Sequence, residues 1–325
     1  MASLTQLEYL LAVDKHRHFG KAANACHVSQ PTLSMQLQKL EEEYDITFFD
    51  RSKQPILPNP EALPLIEQAR VILREYSKLK HMTQDSQTEL SGEFKLGIIP
   101  TVAPYLLPRF LGRFATDHPK VHLNIREMTT PQIIDALDRD EIDAGILATP
   151  IEIPTLDERP LYYEPFYLYT SKTHPLSKLK NVSEEDLTAN GVWLLTEGHC
   201  LRTQVLKLCA ARKSSGVFKN VSLESGSMEM LIELIDEGHG YTLLPAMAAR
   251  RIPDAKRSQL KEIRGPIPTR EISLVFRRSQ YKQNLLKSLS EAVKKQLPKE
   301  VFLKRTPQLN VVQLNIARLN ASQLK

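Results

Sequence analysis

Thiols, rings and long apolar runs are all scarce in this chain. Cysteine occurs three times in 325 residues, as Cys26, Cys200 and Cys209. One pair and an odd thiol cannot staple a disulfide-scaffold protein, which needs many more bridges per residue. No run of 18 apolar residues occurs, so no bilayer-spanning helix is expected. The segment MASLTQLEYLLAVDKHRHF carries Glu8 and Asp14 and no long apolar stretch, so no signal peptide is expected either. Twelve glycines exclude a collagen-like chain, and an apolar content of 42% excludes a disordered one. At about 150 residues per domain the length points to two domains, or three. The expectation is a soluble, cytoplasmic, multi-domain protein with no membrane contact. In reducing surroundings any disulfide it forms is transient.

Charge of one sign is nearly balanced on average, with 43 basic against 38 acidic residues and a net of +5. The distribution is uneven. Residues 1–60 hold six basic and seven acidic side chains, a net of −1, while residues 250–325 hold 18 and five, a net of +13. The stretch between carries −7. Charge alone would place nucleic acid at the C-terminal end. The N-terminal pattern argues otherwise.

Leu4, Leu7, Tyr9, Leu10, Leu11 and Val13 predict a short buried helix over residues 4–15, with Phe19-Gly20 expected to break it. Residues 21–26 are small and helix-compatible, and His27-Val28 forms a brief interruption. Ser29 can then cap a second helix, with Pro31 tolerated in its first turn. Leu33, Leu37, Leu40 and Tyr44 fall on one face of it. The other face shows Gln30, Thr32, Ser34, Gln36, Gln38 and Lys39. Such short or amide-bearing groups bond base edges and phosphates in a major groove; they also suit an ordinary solvated helix. Phe48-Phe49-Asp50-Arg51 and the prolines at 55, 58 and 60 read as a hairpin or wing, whose Arg51 could reach a narrow minor groove.

Phe19, Ala22-Ala23, Val28-Ser29-Gln30-Pro31-Thr32-Leu33-Ser34, Leu37, Leu40-Glu41 and Phe49-Asp50-Arg51 resemble the winged helix-turn-helix of LysR-type transcriptional regulators. The resemblance is dense over residues 4–60. It implies double-stranded DNA as partner, with Ser29, Gln30, Pro31, Thr32, Ser34, Gln38 and Lys39 on the groove-reading helix and Arg51 on the wing. One departure is visible. The family commonly begins its next helix with Thr and Gly, where this chain has Pro58-Asn59-Pro60-Glu61-Ala62. Asn59 can still cap and Pro60 suits the first helical position. Pro64 is expected to kink that helix mildly.

Leu65, Ala69, Ile72, Tyr76 and Leu79 alternate by four and three over residues 61–86, a seam that suits self-pairing of a long linker helix, or packing onto its own domain. Two-fold pairing would present two reading helices to a palindromic site. Beyond Ser91-Gly92, strand-like runs (94–100, 122–127, 143–148, 166–170, 192–195, 241–244, 271–276) alternate with helical ones (106–116, 131–138, 201–212, 228–237, 284–295). That alternation means α/β with mostly parallel sheets. The LysR resemblance implies two Rossmann-like lobes of a periplasmic-binding-protein-like effector domain, 91–298. Lobe one would be 92–163 plus 267–298, and lobe two 164–266. The domain assignment is then 1–60 for the winged helix-turn-helix, 61–90 for the linker helix, and 299–325 for a basic tail. In that tail Leu309, Val312, Ile316 and Leu319 could line one helical face.

Cys200 follows Gly198-His199 at the start of an expected helix, and Cys209 lies nine residues on. A helix N-terminus, the imidazole and Arg202 would all favour a thiolate. Nine helical residues put the Cα atoms about 13.5 Å apart, whereas a disulfide needs about 4.4–6.8 Å. Closing the pair would unwind the helix. By spacing alone, two small buried hydrophobes are the more ordinary reading. A zinc site fits poorly, with only His199 near the two thiols, and no metal or cofactor is expected.

Gly198-His199-Cys200-Leu201-Arg202 with Cys209 resembles the redox segment of OxyR-type hydrogen-peroxide sensors within the LysR family. Ile98–Val102, Pro104–Pro108, Leu243–Ala246 and Arg70–Glu75 are similar too, so the likeness spans about 4–298. It implies that Cys200 is oxidised by hydrogen peroxide to a sulfenic acid and that Cys209 closes the disulfide. It places Thr101, Thr130, His199 and Arg270 around the peroxide, where they would orient it and stabilise the leaving oxygen. As duller duties, Thr101 and Thr130 could cap helices and Arg270 could pair an acid. Thr203 departs from the pattern, which commonly has Asp there. Cys26 reads as a packed thiol. The resemblance further implies an activator that is not an enzyme, assembling as a homodimer of dimers. Its partners would be RNA polymerase and a thiol reductant such as glutaredoxin or thioredoxin. Two rivals are a LysR regulator that binds a small anion between the lobes, and a thiol peroxidase, which would not need residues 1–60.

Overall fold

The computed structural model describes residues 1–82, 90–187, 191–209 and 223–314. It divides into two units, Met1–Thr88 and Glu89–Lys325.

The first unit begins with α1 (Leu4–His16), opened by a capping box in which the Ser3 hydroxyl accepts from the Gln6 N–H at 3.2 Å and Gln6 Oε1 accepts from the Ser3 N–H at 2.9 Å. The break falls at Arg17, whose φ is 50°, and not at Phe19-Gly20. Phe19 and Gly20 instead start α2 (Phe19–Ala25), because His18 caps it through Nδ1. Ser29 then caps α3 (Gln30–Tyr44) with Pro31 in the first turn, as expected. Leu33, Leu37 and Leu40 are buried against Leu10, Val13 and Phe49, while Tyr44 at the helix end stays 47% exposed. The wing is a minimal antiparallel ladder of β1 (Phe49–Asp50) and β2 (Leu57–Pro58).

A 3-10 turn over Pro60–Ala62 leads into α4 (Leu63–Met82). Pro64 therefore lies in the first turn, where no N–H bond is lost, and the expected kink has no cause. Asn59 heads the turn without capping it; its amide donates to Thr47 O at 2.7 Å. Ile66, Ala69 and Arg70 pack into the unit's core, but Val71, Ile72 and Leu79 lie exposed. The seam thus divides: Leu65 and Ala69 are used within the unit, whereas Ile72 and Leu79 face solvent. Arg70 meets Asp14 of α1 as an ion pair, each only 7% exposed, and Arg17 Nη2 joins Asp14 at 2.9 Å.

The second unit is built on β3 (Gly92–Ile98), α5 (Ala103–Asp117), β4 (Val121–Glu127), α6 (Thr130–Asp138), β5 (Ala144–Thr149) and β6 (Leu156–Thr170). It continues through β7 (Val182–Ser183), α7 (Cys200–Leu208), α8 (Met228–Asp236), β8 (Tyr241–Pro245) and α9 (Ala246–Ala249). It closes with β9 (Leu260–Arg264), β10 (Ile267–Arg277), α10 (Gln283–Lys295) and β11 (Leu309–Val311). The strand order is β4-β3-β5-β10-β6-β9-β7, with β11 on β10 and β8 on β6. The sheet is mixed rather than mostly parallel: β3 runs parallel to β4 and β5, but β10 and β6 run antiparallel to most of their neighbours. One continuous strand, β6, crosses the 163/164 lobe boundary expected from the sequence. Gly145 lets α6 approach β5, since a Cβ there would sit 2.3 Å from Ile133 Cγ2.

Three further expectations are corrected. Val192–Leu195 is not a strand; only Val192 forms an isolated bridge, to Tyr241. The helix expected over 201–212 ends at Leu208, and 210–212 lie outside the described residues. Leu309 and Val312 belong to a strand and its flank rather than to a helical face, while Ile316 and Leu319 lie outside the described residues. Among the described residues no helix is long and apolar enough to cross a membrane.

Removing one partner of a buried pair leaves the other charge uncompensated. Asp14→Ala should therefore lower the unfolding free energy of the first unit by about 3 kcal/mol, read by chemical denaturation; a loss below about 0.5 kcal/mol would show that the Asp14–Arg70 pair does not hold α1 to α4.

Candidate functional site

The two cysteines mark the two ends of one helix. His199 is the N-cap of α7, Cys200 its first residue and Cys209 its C-cap. Both thiols are free and buried, at 1% and 3% exposure. With α7 intact their Cα atoms stand about 13.5 Å apart along the axis, so they cannot bond in this conformation.

Beside Cys200 lies a buried ion pair. Arg270 on β10 donates from Nε to Glu164 Oε2 at 2.9 Å, and its Nη2 stands 2.8 Å from the same oxygen. The guanidinium also donates from Nη1 to Thr101 Oγ1 and from Nη2 to Thr101 O, both at 3.0 Å. Glu164 Oε1 in turn accepts the Met247 N–H at 2.7 Å, in the first turn of α9. Strand register explains the meeting, because Glu164 of β6 is directly opposite Arg270 of β10. Thr130, the first residue of α6, brings a buried hydroxyl beside the Cys200 sulfur; among the described residues that hydroxyl has no hydrogen-bond partner of good geometry. The cap of α6 is Thr129, whose N–H donates to Gln132 Oε1 at 2.8 Å, so Thr130 is free of that duty. Thr101 likewise leaves capping to Val102, and Arg270 combines its acid with a place near the thiol.

Burial pushes the Cys200 thiol up, and Arg270, the Thr130 hydroxyl and the Leu201 N–H pull it back only in part. The resting sulfur is therefore a thiol, not the thiolate that the sequence led us to expect. Arg202 plays no part in this, since it donates from Nη1 to Leu195 O at 2.9 Å. Burial lowers the His199 pKa, which keeps its imidazole neutral. Cys209 is raised by burial and eased by the Tyr241 hydroxyl, 3.5 Å from its sulfur. Thr203, where the pattern commonly has Asp, is half-buried on α7.

A cavity of about 470 Å³ opens in front of these groups, lined by Thr101, Thr129, Gln132, His199, Gly226 and Glu229 among others. Gly226 makes room for the imidazole, as a Cβ there would fall 3.2 Å from His199 Nε2. Cys200 does not line the cavity. Thr101 lines the cavity and also bonds Arg270, and His199, another lining residue, directly precedes Cys200.

Four of the six redox-site residues expected from sequence (Cys200, Thr130, Arg270 and Thr101) thus form one cluster. His199 stands at its mouth and Cys209 at the far helix end. Sequence reasoning missed Glu164, fully buried at the centre, and Tyr162, whose buried hydroxyl feels both Glu164 and Arg270 and has no partner among the described residues. No local signal marks either; only the β6–β10 register does.

In the first unit, Gln30, Pro31, Thr32, Gln38 and Lys39 are exposed on α3 and Ser34 is half-exposed. Ser29 is exposed as well, its hydroxyl 2.7 Å from that of Thr32. Gln38 donates to Glu42 Oε1 at 3.1 Å. Arg51 does not project freely from the wing. Its Nη2 pairs with Glu41 at 2.7 Å, its Nη1 donates to Ser34 Oγ at 3.4 Å, and the guanidinium covers the Phe19 ring at 5.1 Å.

Comparison with known proteins adds identity to this geometry. Residues 4–63 match the family described as bacterial regulatory helix-turn-helix protein, lysR family, and residues 87–298 match the LysR substrate binding domain. The chain is 37% identical over 275 residues to a hydrogen peroxide-inducible genes activator of Pectobacterium carotovorum subsp. carotovorum, covering 85% of this chain and 90% of that one. It is 36% identical over 294 residues to the DNA-binding transcriptional dual regulator OxyR of Escherichia coli K12, covering 90% and 95%. A full-length OxyR variant structure from Pseudomonas aeruginosa superposes with a TM-score of 0.75 at 30% identity, over 90% of this chain and 98% of that one.

A raised thiol is a slow nucleophile at neutral pH, because only its thiolate reacts. Alkylation of Cys200 by a small neutral reagent should climb about tenfold per pH unit and still be climbing at about pH 9, where an exposed cysteine has begun to level. The paired variant Glu164→Gln/Arg270→Met removes both buried charges and with them the guanidinium. It should push the profile higher still and slow the reaction at neutral pH by about tenfold. A profile that levels below about pH 8 would contradict this electrostatic picture.

Proposed function

The chain belongs to the LysR family of DNA-binding transcriptional regulators, a family of non-enzymes, and from that premise we propose that it senses hydrogen peroxide through a reversible Cys200–Cys209 disulfide. The observation that carries this reading is the buried Cys200 thiol beside Arg270, Thr101 and Thr130, on a helix that Cys209 ends.

Peroxide enters past Thr101 and His199. The Cys200 proton moves to a neutral acceptor such as the His199 imidazole, and the sulfur attacks one peroxide oxygen. The S–O bond forms as the O–O bond breaks, and the hydroxide that leaves takes up the released proton as water. Arg270 and the Thr130 hydroxyl stabilise first the thiolate and then the departing oxygen. Unwinding of α7 brings the Cys209 thiolate to the sulfenic sulfur; the S–S bond forms, the S–O bond breaks and a second water leaves. Two thiols and one peroxide become one disulfide and two waters. Glutaredoxin or thioredoxin then restores the thiols by exchange.

DNA is held by α3, with Gln30, Thr32, Ser34, Gln38 and Lys39 towards the groove, Ser29 and Pro31 setting the helix start, and Arg51 fixing the wing to α3. The exposed Ile72 and Leu79 of the α4 seam support a homodimer, assembling to a homotetramer that acts on RNA polymerase as a cytoplasmic activator. The 470 Å³ cavity would also hold a small anion, the reading of a metabolite-responsive relative.

Titration with one equivalent of peroxide should consume two thiols per chain, and peptide mapping should link residues 200 and 209. Cys209→Ser should stop at a sulfenic acid trapped by dimedone, and Cys200→Ser should lose no thiol. Retention of all three thiols in the wild-type chain under these conditions would leave the metabolite reading, and sustained peroxide consumption with reductant would favour a peroxidase.

A further inference from the structure

The last described residues are not a loose tail. The matched regulatory domain ends at residue 298, yet the chain continues as an ordered segment that returns to the sheet. Phe302 and Tyr163 bond each other through their backbones at 2.7 and 2.8 Å, and Arg250 pairs with Glu300 at 2.6 Å. β11 then adds in parallel to the free start of β10, with Ile267, Pro268 and Thr269 opposite Leu309, Asn310 and Val311. The Ile267 N–H donates to Gln308 O at 2.8 Å and the Val312 N–H to Thr269 O at 2.9 Å. This edge is open because β5, which covers β10 from Glu271 onward, ends at Thr149. Leu309 and Val312 are each only 5% exposed.

The other wall of the groove is α7. Gln204, fully buried, donates from its amide to Val312 O at 3.3 Å, and Lys207 Nζ donates to Gln313 O at 3.4 Å. Both residues lie between Cys200 and Cys209. They are part of the segment whose helical form must be lost if the two thiols are to bond.

We infer that the β10–α7 groove is a strand-accepting surface whose occupant is residues 306–314 of this chain, and that this strap docks only while α7 is helical. The inference rests on the disulfide reading above. Strand addition supplies the hydrogen bonds and the two pockets for Leu309 and Val312 fix the register. Since the strap and the disulfide require different forms of residues 200–209, each disfavours the other by the same factor. The strap holds the reduced form, and oxidation releases it. Gln204 Oε1, buried without a partner among the described residues, leaves the α7 side of the seat incompletely satisfied, as suits a contact made to open.

Hydrogen exchange on the full chain tests this directly. The Val312 and Ile267 amides should be protected in the reduced protein and exchange at least about tenfold faster once the Cys200–Cys209 disulfide has formed. A chain ending at Arg305 should hold about ten times more disulfide relative to dithiol at a given glutathione ratio, within the usual span of coupling between sites sharing one two-state element. Equal protection of the two amides in both redox states overturns the strap while leaving the disulfide reading intact. An unchanged glutathione equilibrium in a folded truncated chain does the same. If no 200–209 disulfide forms in either chain, both readings fall. Should the truncated chain not fold, the exchange measurement on the full chain decides alone.

Discussion

The Arg270–Glu164 pair is the constraint on which the second unit's chemistry depends. Both residues are almost completely buried, so neither charge is tolerable without the other. Satisfying them takes two sheet strands, the loop after β3 through Thr101, and the first turn of α9 through Met247. The same guanidinium faces the Cys200 sulfur. A cation that serves only reactivity could sit on a surface loop. Here it is locked into the β6–β10 register, so its place beside α7 is set by the sheet.

What the sequence disclosed was what neighbours in the chain can say about each other. The Ser29 cap of α3, the Leu33–Leu37–Leu40 face and the placement of Cys200 at a helix start all follow from residues within one or two turns. What stayed hidden depends on pairing across the chain. Glu164 lies 106 positions from Arg270, and nothing around it announces a buried carboxylate. The first half of β6 reads as Leu156-Asp-Glu-Arg-Pro, too charged to suggest a strand, and becomes one because β10 offers a partner edge. Leu309 and Val312 suit a helix face by spacing, but a vacant strand edge makes them β. The thiol's protonation was misread for a similar reason: the chain shows the neighbouring His and Arg, not the dry surroundings that outweigh them.

The reading unit shows a different economy of charge. Residues 1–60 carry a net −1 yet belong to a DNA-binding family, so affinity there cannot rest on bulk positive charge. Part of the acidity is internally consumed. Asp14 is taken by Arg70 and Arg17, and Glu41 by Arg51 and the Phe48 N–H. The face left towards solvent on α3 is polar and nearly neutral. A duplex would be met mainly by hydrogen-bonding groups, with Arg51 keeping the wing at a set angle to them.

The cavity opens onto His199 and not onto Cys200. Cys200 is only 1% exposed, so its sulfur is sheltered behind the residues that line the cavity. On the peroxide reading, that shelter would favour a two-oxygen molecule over a tripeptide thiol or the active face of a reductase. While α7 is folded, that shelter would keep the sulfur from bulky thiols and so from mixed disulfides with them. On the same reading, opening of the helix would bring both sulfurs out of that shelter together, and writing the signal and erasing it would use different doors.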